Sequence, residues 1–108
     1  MKNNGQRAEF QACLALSHTK GLGPRRCKKI LDHYESARAA MDDAPNWPEL
    51  GLASQSVTRD FVHGQWRPSA RQELNLASSR GSRAILYSSP AYPDLLRQIP
   101  DPPLYIYV

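Results

Sequence analysis

The stretch that most constrains this chain runs from Lys20 to Tyr34 and reads KGLGPRRCKKILDHY. It predicts a glycine turn followed directly by a helix. Pro24 suits the first helical position, because the backbone N–H that proline lacks would have no partner within the helix there. Apolar side chains then recur at the spacing of one helical face, at Cys27, Ile30, Leu31 and Tyr34. The stretch therefore defines one amphipathic helix that the chain enters through a short glycine turn.

Glycines and basic residues surround the start of that helix. Gly21 and Gly23 lack a Cβ, so their backbone can adopt positive φ and lie close against another surface. The unpaired N–H groups at a helix start carry the positive end of the helix dipole and suit a phosphate. The supporting positive charges are Lys20, Arg25, Arg26, Lys28 and Lys29. Together these residues are predicted to bind the phosphate backbone of a nucleic acid.

The preceding residues predict another helix, over residues 7–18, so that helix, glycine turn and helix form a hairpin. This pattern resembles the helix-hairpin-helix motif of proteins that hold DNA by its backbone without reading its sequence. Thr19 stands where such motifs usually have an apolar residue, and Lys20 where many have proline. The alternative interpretation is that GLG is only a compact turn and that the basic residues are a solvated face.

The length and net charge of the chain limit the number of domains and the kind of partner that these motifs can indicate. A chain of 108 residues has room for one ordinary domain, or for a small domain and a fragment of another. Its net charge is +4, with more arginine than lysine, which favours a phosphate-bearing partner. No apolar run approaches the ~20 residues that span a membrane. A cytoplasmic protein with no membrane partner is therefore expected.

The sequence predicts neither a metal site nor a catalytic site. Cys13 and Cys27 fall on apolar helical faces and are expected to be buried free thiols. The histidines are scattered and no Cys-x-x-Cys pair occurs, so neither zinc nor any cofactor is expected. The adjacent pairs Asp42–Asp43 and Ser88–Ser89 lack the partners of a nucleophile or an acid–base site. A binding protein is therefore expected rather than an enzyme.

The chain divides into two parts after a disordered stretch predicted at residues 1–6. Residues 7–65 read as a helical domain of short helices, in which Trp47 fills the core rather than stacking on a base. Residues 66–108 read as a polar helix over 68–80, a strand over 84–87, a short helix over 92–99 and a strand over 104–108. Strand, helix and strand predict a β-α-β unit. The predicted fold class is therefore mainly α, with a β-α-β stub that opens an α/β sheet.

Two further groups of side chains admit two interpretations each. Arg67, Arg71, Arg80 and Arg83 form a second basic series near the junction of the two parts. This series could continue a DNA path, but ordinary surface arginine is the favoured interpretation because Glu73 interrupts it. The tyrosines of the last part, Tyr87, Tyr92, Tyr105 and Tyr107, are expected to be core and sheet residues rather than stacking platforms.

The last part also carries a specific pattern of prolines and apolar residues, ILYSSPAYPDLLRQIPDPPLYIYV. Its characteristic positions are Tyr92, Pro93, Leu96, Ile99, Asp101, Pro103 and Tyr105. A glycine-turn helical domain followed by this pattern resembles the DNA-processing protein A family (DprA, also called Smf), over roughly residues 10–108. A chain that ends inside an apolar strand is further expected to be the N-terminal portion of a longer protein.

The resemblance implies a SAM-like helical domain followed by the first strands of a Rossmann-like domain. Members of this family bind single-stranded DNA, load the RecA recombinase onto it in natural transformation, form dimers and have no known catalytic cycle. Their DNA and RecA contacts lie mostly in the Rossmann-like domain, so weak DNA binding is expected of this part alone. Two alternatives stay open: a non-specific duplex DNA-binding module, and a scaffold or protein-interaction domain that binds no DNA.

Overall fold

The computed structural model of the protein describes residues 2–108, with the side chains of residues 5–108. Its helices are α1 (Lys2–Ser17), α2 (Pro24–His33), α3 (Ala37–Asp42), α4 (Gln55–Val62), α5 (Arg67–Ser79) and α6 (Asp94–Arg97). A 3₁₀ turn covers Ala44–Asn46, and the strands are β1 (Ala84–Leu86) and β2 (Tyr105–Tyr107). The mainly helical fold class predicted from the sequence is therefore confirmed.

The helix ends follow local capping chemistry. The Ser36 hydroxyl accepts a hydrogen bond from the Ala39 N–H at 3.0 Å, and the Ser54 hydroxyl caps α4 in the same way at 3.1 Å. Gly81, with φ of +66°, follows the last turn of α5 in the left-handed conformation typical of a helix end. The observed bounds of α5, Arg67–Ser79, lie within one residue of the helix predicted over 68–80.

The start of α1 differs from the prediction. The sequence predicts disorder over residues 1–6, but the helix begins at Lys2, and Met1 lies outside the described residues. The buried segment from Ala12 to Leu16 anchors α1 in the core. Once that segment is helical, each residue added before it gains a hydrogen bond without a new nucleation cost, so the helix extends beyond the apolar pattern.

Trp47 lies at the centre of the helical core, as predicted. Its side chain is fully buried, and its ring centroid lies 4.7 Å from that of Phe61 in α4. Its indole N–H donates to the Ala40 carbonyl at 3.1 Å, which satisfies its polar atom inside the core. Trp47 therefore joins α3, the 3₁₀ turn and α4.

The hydrophobic core continues past residue 65. Trp66 and Ala70 at the start of α5, and Leu104 just before β2, belong to the same buried cluster as the residues of α1 to α4. The Phe10 ring of α1 also packs edge-on against Tyr105, with ring centroids 5.3 Å apart. The last part of the chain therefore packs on the helical part through one shared core.

The two strands pair antiparallel, with Ala84 opposite Tyr107 and Leu86 opposite Tyr105. The predicted order of strand, short helix and strand is present, but the parallel pairing of a β-α-β unit is wrong. A parallel crossover must carry the chain back to the other end of the first strand. Here the Tyr87 N–H bonds the Leu104 carbonyl at 2.8 Å, so the chain returns at the end where β1 finished.

The segment between β1 and β2 forms a compact loop, which explains why the chain returns at the same end of β1. Tyr92 is buried and its hydroxyl donates to the Pro103 carbonyl at 2.8 Å. Arg97 of α6 donates to the Ser89 carbonyl at 2.6 Å, and its guanidinium lies about 5 Å over the rings of Tyr87 and Tyr92. Tyr92 and Pro103, both characteristic positions of the sequence pattern, are thus hydrogen-bonded to each other and hold the segment between the two strands in a compact loop.

Candidate nucleic-acid interface

The glycine turn between α1 and α2 is a tight hydrogen-bonded turn. The Leu22 N–H bonds the Thr19 carbonyl at 3.1 Å, and Gly21 at the third position has φ of +90°. Thr19 is buried, and its hydroxyl donates to the Ala15 carbonyl at 2.6 Å. Thr19 therefore occupies the apolar position of the hairpin pattern without leaving its polar atom unpaired.

The two glycines of the turn have different roles. A Cβ at Gly21 would lie 2.6 Å from Cγ2 of Val57, so the bare backbone of Gly21 packs directly on α4. Gly23 has φ of −71° and a Cβ there would meet nothing within 4 Å. Gly21 therefore adopts the positive φ that a glycine permits, whereas Gly23 does not. Gly23 instead precedes α2 and leaves open space over the helix start.

The start of α2 exposes backbone donors beside that open space. Pro24 occupies the first turn, and the Cys27 N–H makes the first helical bond, to the Gly23 carbonyl at 3.0 Å. The N–H groups of Arg25 and Arg26 precede that bond and lie at the positive end of the helix. The buried side chains of Leu22, Cys27 and Ile30 hold this turn of helix on the core.

The basic side chains around the turn separate into two groups. Lys20, Arg25 and Arg26 are exposed, and the ion pairs found among the described residues do not involve them. Lys28 pairs with Asp32 at 2.8 Å, which raises the pKa of Lys28 through their hydrogen bond. Lys29 donates to the Gly51 carbonyl at 3.3 Å. Lys20, Arg25 and Arg26 are therefore the charges best placed to meet a phosphate.

The second basic series is spread over α5 and the residues that follow it. Arg67 and Arg71 lie one turn apart on α5 and line a groove beside α1. Arg80 caps the end of α5, and the backbone of Arg83 bonds that of Val108 beside the strands. Only Arg67 and Arg71 of this series line the same groove.

The cysteines of the hairpin are buried free thiols, as expected. Burial raises the pKa of Cys13 to about 12 and that of Cys27 to about 11. The Cys27 thiol lies 3.6 Å from the Leu16 carbonyl and 3.7 Å from the Leu22 carbonyl. These thiols pack the two helices together and stay protonated at neutral pH.

A cluster around Glu73 is absent from the sequence-based predictions. The Glu73 carboxylate of α5 bonds His18 at 2.7 Å and accepts hydrogen bonds from the hydroxyls of Tyr105, at 2.6 Å, and Tyr107. The partners come from the end of α1 and from β2, more than thirty residues away in the chain. No local spacing connects them, so the sequence offered no signal for this cluster.

The Glu73 cluster makes the stability of the fold depend on pH. Burial raises the pKa of Glu73, but hydrogen bonds from Tyr105, Tyr107 and His18 outweigh it, so the net shift is below the ordinary value of 4.5. A carboxyl whose pKa is lowered by folding contributes stability that is present above its unfolded pKa and is lost as pH falls through its folded pKa. We therefore expect the advantage of the wild type over Glu73→Gln to shrink as pH falls below about 4.

Urea unfolding of both proteins between pH 3 and 7, followed by circular dichroism, measures this difference. Glu49→Gln, at an exposed glutamate outside the cluster, is the matched control and should track the wild type at every pH. A difference between wild type and Glu73→Gln that does not change over this range would contradict the assigned ionisation of Glu73.

Comparisons with models of known protein families, with curated proteins and with solved structures find no match to this chain. The resemblance to the DprA family therefore stays a prediction from the residues named above. Within the described residues, no cluster of three or more His, Cys, Asp or Glu side chains is arranged to hold a metal ion. None of the described helices has the length and apolar character needed to cross a membrane.

Proposed function

We propose that this chain is the N-terminal part of a DprA-like protein and that its hairpin holds the phosphate backbone of single-stranded DNA. The observation that carries the DNA contact is the start of α2. There the exposed residues Lys20, Arg25 and Arg26 lie within three residues of Gly23, beside free helix N–H groups and the open space at that glycine. This arrangement suits an anion without selecting a base, because it offers charge and backbone donors only.

The aromatic side chains support a contact with phosphate rather than with bases. Trp47 and Tyr92 are buried, and Tyr105 and Tyr107 donate to Glu73. Base stacking needs an open aromatic face beside a basic groove, and these rings are engaged elsewhere. Binding by the hairpin is therefore expected to be weak, independent of sequence and sensitive to salt.

The wider role follows from the family resemblance. We propose that the whole protein, acting in the cytoplasm and as a dimer, binds single-stranded DNA and loads RecA during DNA uptake, with no catalytic cycle of its own. A non-specific duplex DNA-binding module is the second candidate, because the same exposed hairpin would meet the backbone of either form. A scaffold without DNA binding is the third.

Fluorescence anisotropy with labelled single-stranded and duplex oligonucleotides, from low to physiological salt, tests the DNA contact. We expect Arg25→Glu/Arg26→Glu to weaken binding about tenfold or more at low salt. The slope of log affinity against log salt should fall by about one for each phosphate that the variant no longer neutralises. A preference for single strands supports the DprA-like proposal, and a preference for duplex supports the second candidate.

The matched control is Arg59→Glu/Arg80→Glu, which removes the same net charge at exposed positions away from the hairpin. An equal weakening in both double variants would show that binding reflects net charge alone and would overturn the hairpin contact. Absence of binding even at low salt would favour the scaffold role.

A further inference from the structure

We propose that a groove between α1 and α5 binds an acidic amphipathic helix of a partner protein, independently of any DNA bound at the hairpin. The groove has a volume of about 600 Å³. Each of its walls is a helical stripe with i, i+3, i+4 and i+7 spacing. The wall from α1 is Arg7, Phe10, Gln11 and Leu14, and the wall from α5 is Arg67, Ala70, Arg71 and Leu74.

The floor of the groove is apolar and only partly covered. Leu14, Trp66 and Ala70 are buried beneath it. Leu74 is 45% exposed, although it lies on the side of α5 that faces α1 across the groove. A partner that covers Leu74 and the half-buried ring of Phe10 would remove apolar surface from water, which is the main source of affinity in helix-in-groove binding.

The rim of the groove is positive. Arg7, Arg67 and Arg71 are exposed, and the ion pairs found among the described residues do not involve them. The side chains that line the groove include no aspartate or glutamate. The Arg67 guanidinium lies 4.7 Å over the Trp66 ring, which holds its charge at the groove edge. Acidic side chains on both flanks of a partner helix would complement this rim.

The same features argue against two other occupants. Trp66 is 4% exposed and Phe10 already packs edge-on against Tyr105, so the groove offers no open aromatic face for a nucleobase. A second copy of this groove would bring arginines against arginines, which is unfavourable. An apolar helical stripe flanked by carboxylates fits both the floor and the rim.

The probe is a fluorescently labelled peptide of about four helical turns. It carries leucines at i, i+3, i+4 and i+7 and glutamates on both flanks, and a scrambled peptide of the same composition is its control. We expect Arg71→Glu and Leu74→Asp in the whole chain to weaken peptide binding about tenfold each, since one reverses a rim charge and the other places a charge on the apolar floor. The scrambled peptide should bind about tenfold more weakly than the ordered one.

Matched control variants lie on the same helix. Leu76→Asp changes a leucine that is 52% exposed outside the groove, and Arg80→Glu reverses a charge at the end of α5. Both should leave the peptide affinity within about twofold of wild type. Circular dichroism of all four variants tests whether each is folded.

Three results would overturn the proposal. The first is no peptide binding at millimolar concentration, and the second is equal weakening by the groove and control variants. The third is that the protein binds a labelled single-stranded oligonucleotide or a second copy of the chain instead of the peptide, and that Arg71→Glu and Leu74→Asp each abolish this binding. Because Arg25→Glu/Arg26→Glu leaves the groove intact, peptide binding should persist in that variant even where DNA binding is abolished.

Discussion

Trp47→Ala is expected to lower the free energy of unfolding by about 3–5 kcal/mol, the largest effect of any single substitution proposed for this chain. The Trp47 side chain is fully buried, and its ring centroid lies 4.7 Å from that of Phe61, with the two rings tilted by 45°. Truncation would leave a cavity between α3 and α4 and would strip the Ala40 carbonyl of its indole partner. Since small domains are stable by only about 5–15 kcal/mol, a large share of the free energy of unfolding would be lost.

Urea unfolding followed by far-ultraviolet circular dichroism measures this effect, because the helices report on the whole core. Trp47→Phe keeps most of the ring volume and loses the N–H, so it should cost clearly less, about 1–2 kcal/mol. Leu76→Ala, at an exposed position on α5, should change stability by no more than about 0.5 kcal/mol. A cost below about 1 kcal/mol for Trp47→Ala would contradict its place at the centre of the core.

The features that could be predicted from the sequence are those with local causes. Ser36 and Ser54 cap helices because a hydroxyl can reach a backbone N–H three residues on, and both the residue type and the spacing are visible in the chain. The exposed basic hairpin could be found for the same reason, since glycine, proline and apolar spacing lie within fifteen residues of one another.

The features that were missed or wrongly predicted depend mostly on distant partners. The direction in which β2 pairs with β1 is decided by the Tyr92 loop, whose hydroxyl reaches Pro103, and not by the apolar runs themselves. The Glu73 cluster likewise joins side chains from three elements. Lys28 is a different case, because its carboxylate partner Asp32 lies one helical turn later and was visible at i+4.

Gly21→Ala is expected to destabilise the protein by about 2–4 kcal/mol, because strain and steric overlap act together. The φ of +90° at Gly21 is unfavourable for any residue with a Cβ, and the new methyl would lie 2.6 Å from Val57 Cγ2. Gly51 separates the two causes, since it has φ of +71° but open space around it. Gly51→Ala should therefore show the strain alone, about 1–2 kcal/mol.

A double-mutant cycle with Val57→Ala isolates the overlap. In that background the Val57 methyl is gone, so Gly21→Ala should cost only the strain of about 1–2 kcal/mol. Urea unfolding of the four proteins gives the coupling energy directly. If Gly21→Ala costs the same in both backgrounds, the turn does not pack on α4 as described.

The two glycines of the turn should also differ in how their substitution affects DNA binding. Gly23→Ala meets open space and ordinary φ, so it should cost only about 0.5–1 kcal/mol as a poorer helix cap. Its methyl would nevertheless sit over the helix start, where the proposed phosphate approaches. Gly23→Ala should therefore weaken DNA binding with the fold intact, whereas Gly21→Ala acts on the fold first. Gly21 thus holds the hairpin on the core, and Gly23 leaves open the helix start at which we propose that a phosphate binds.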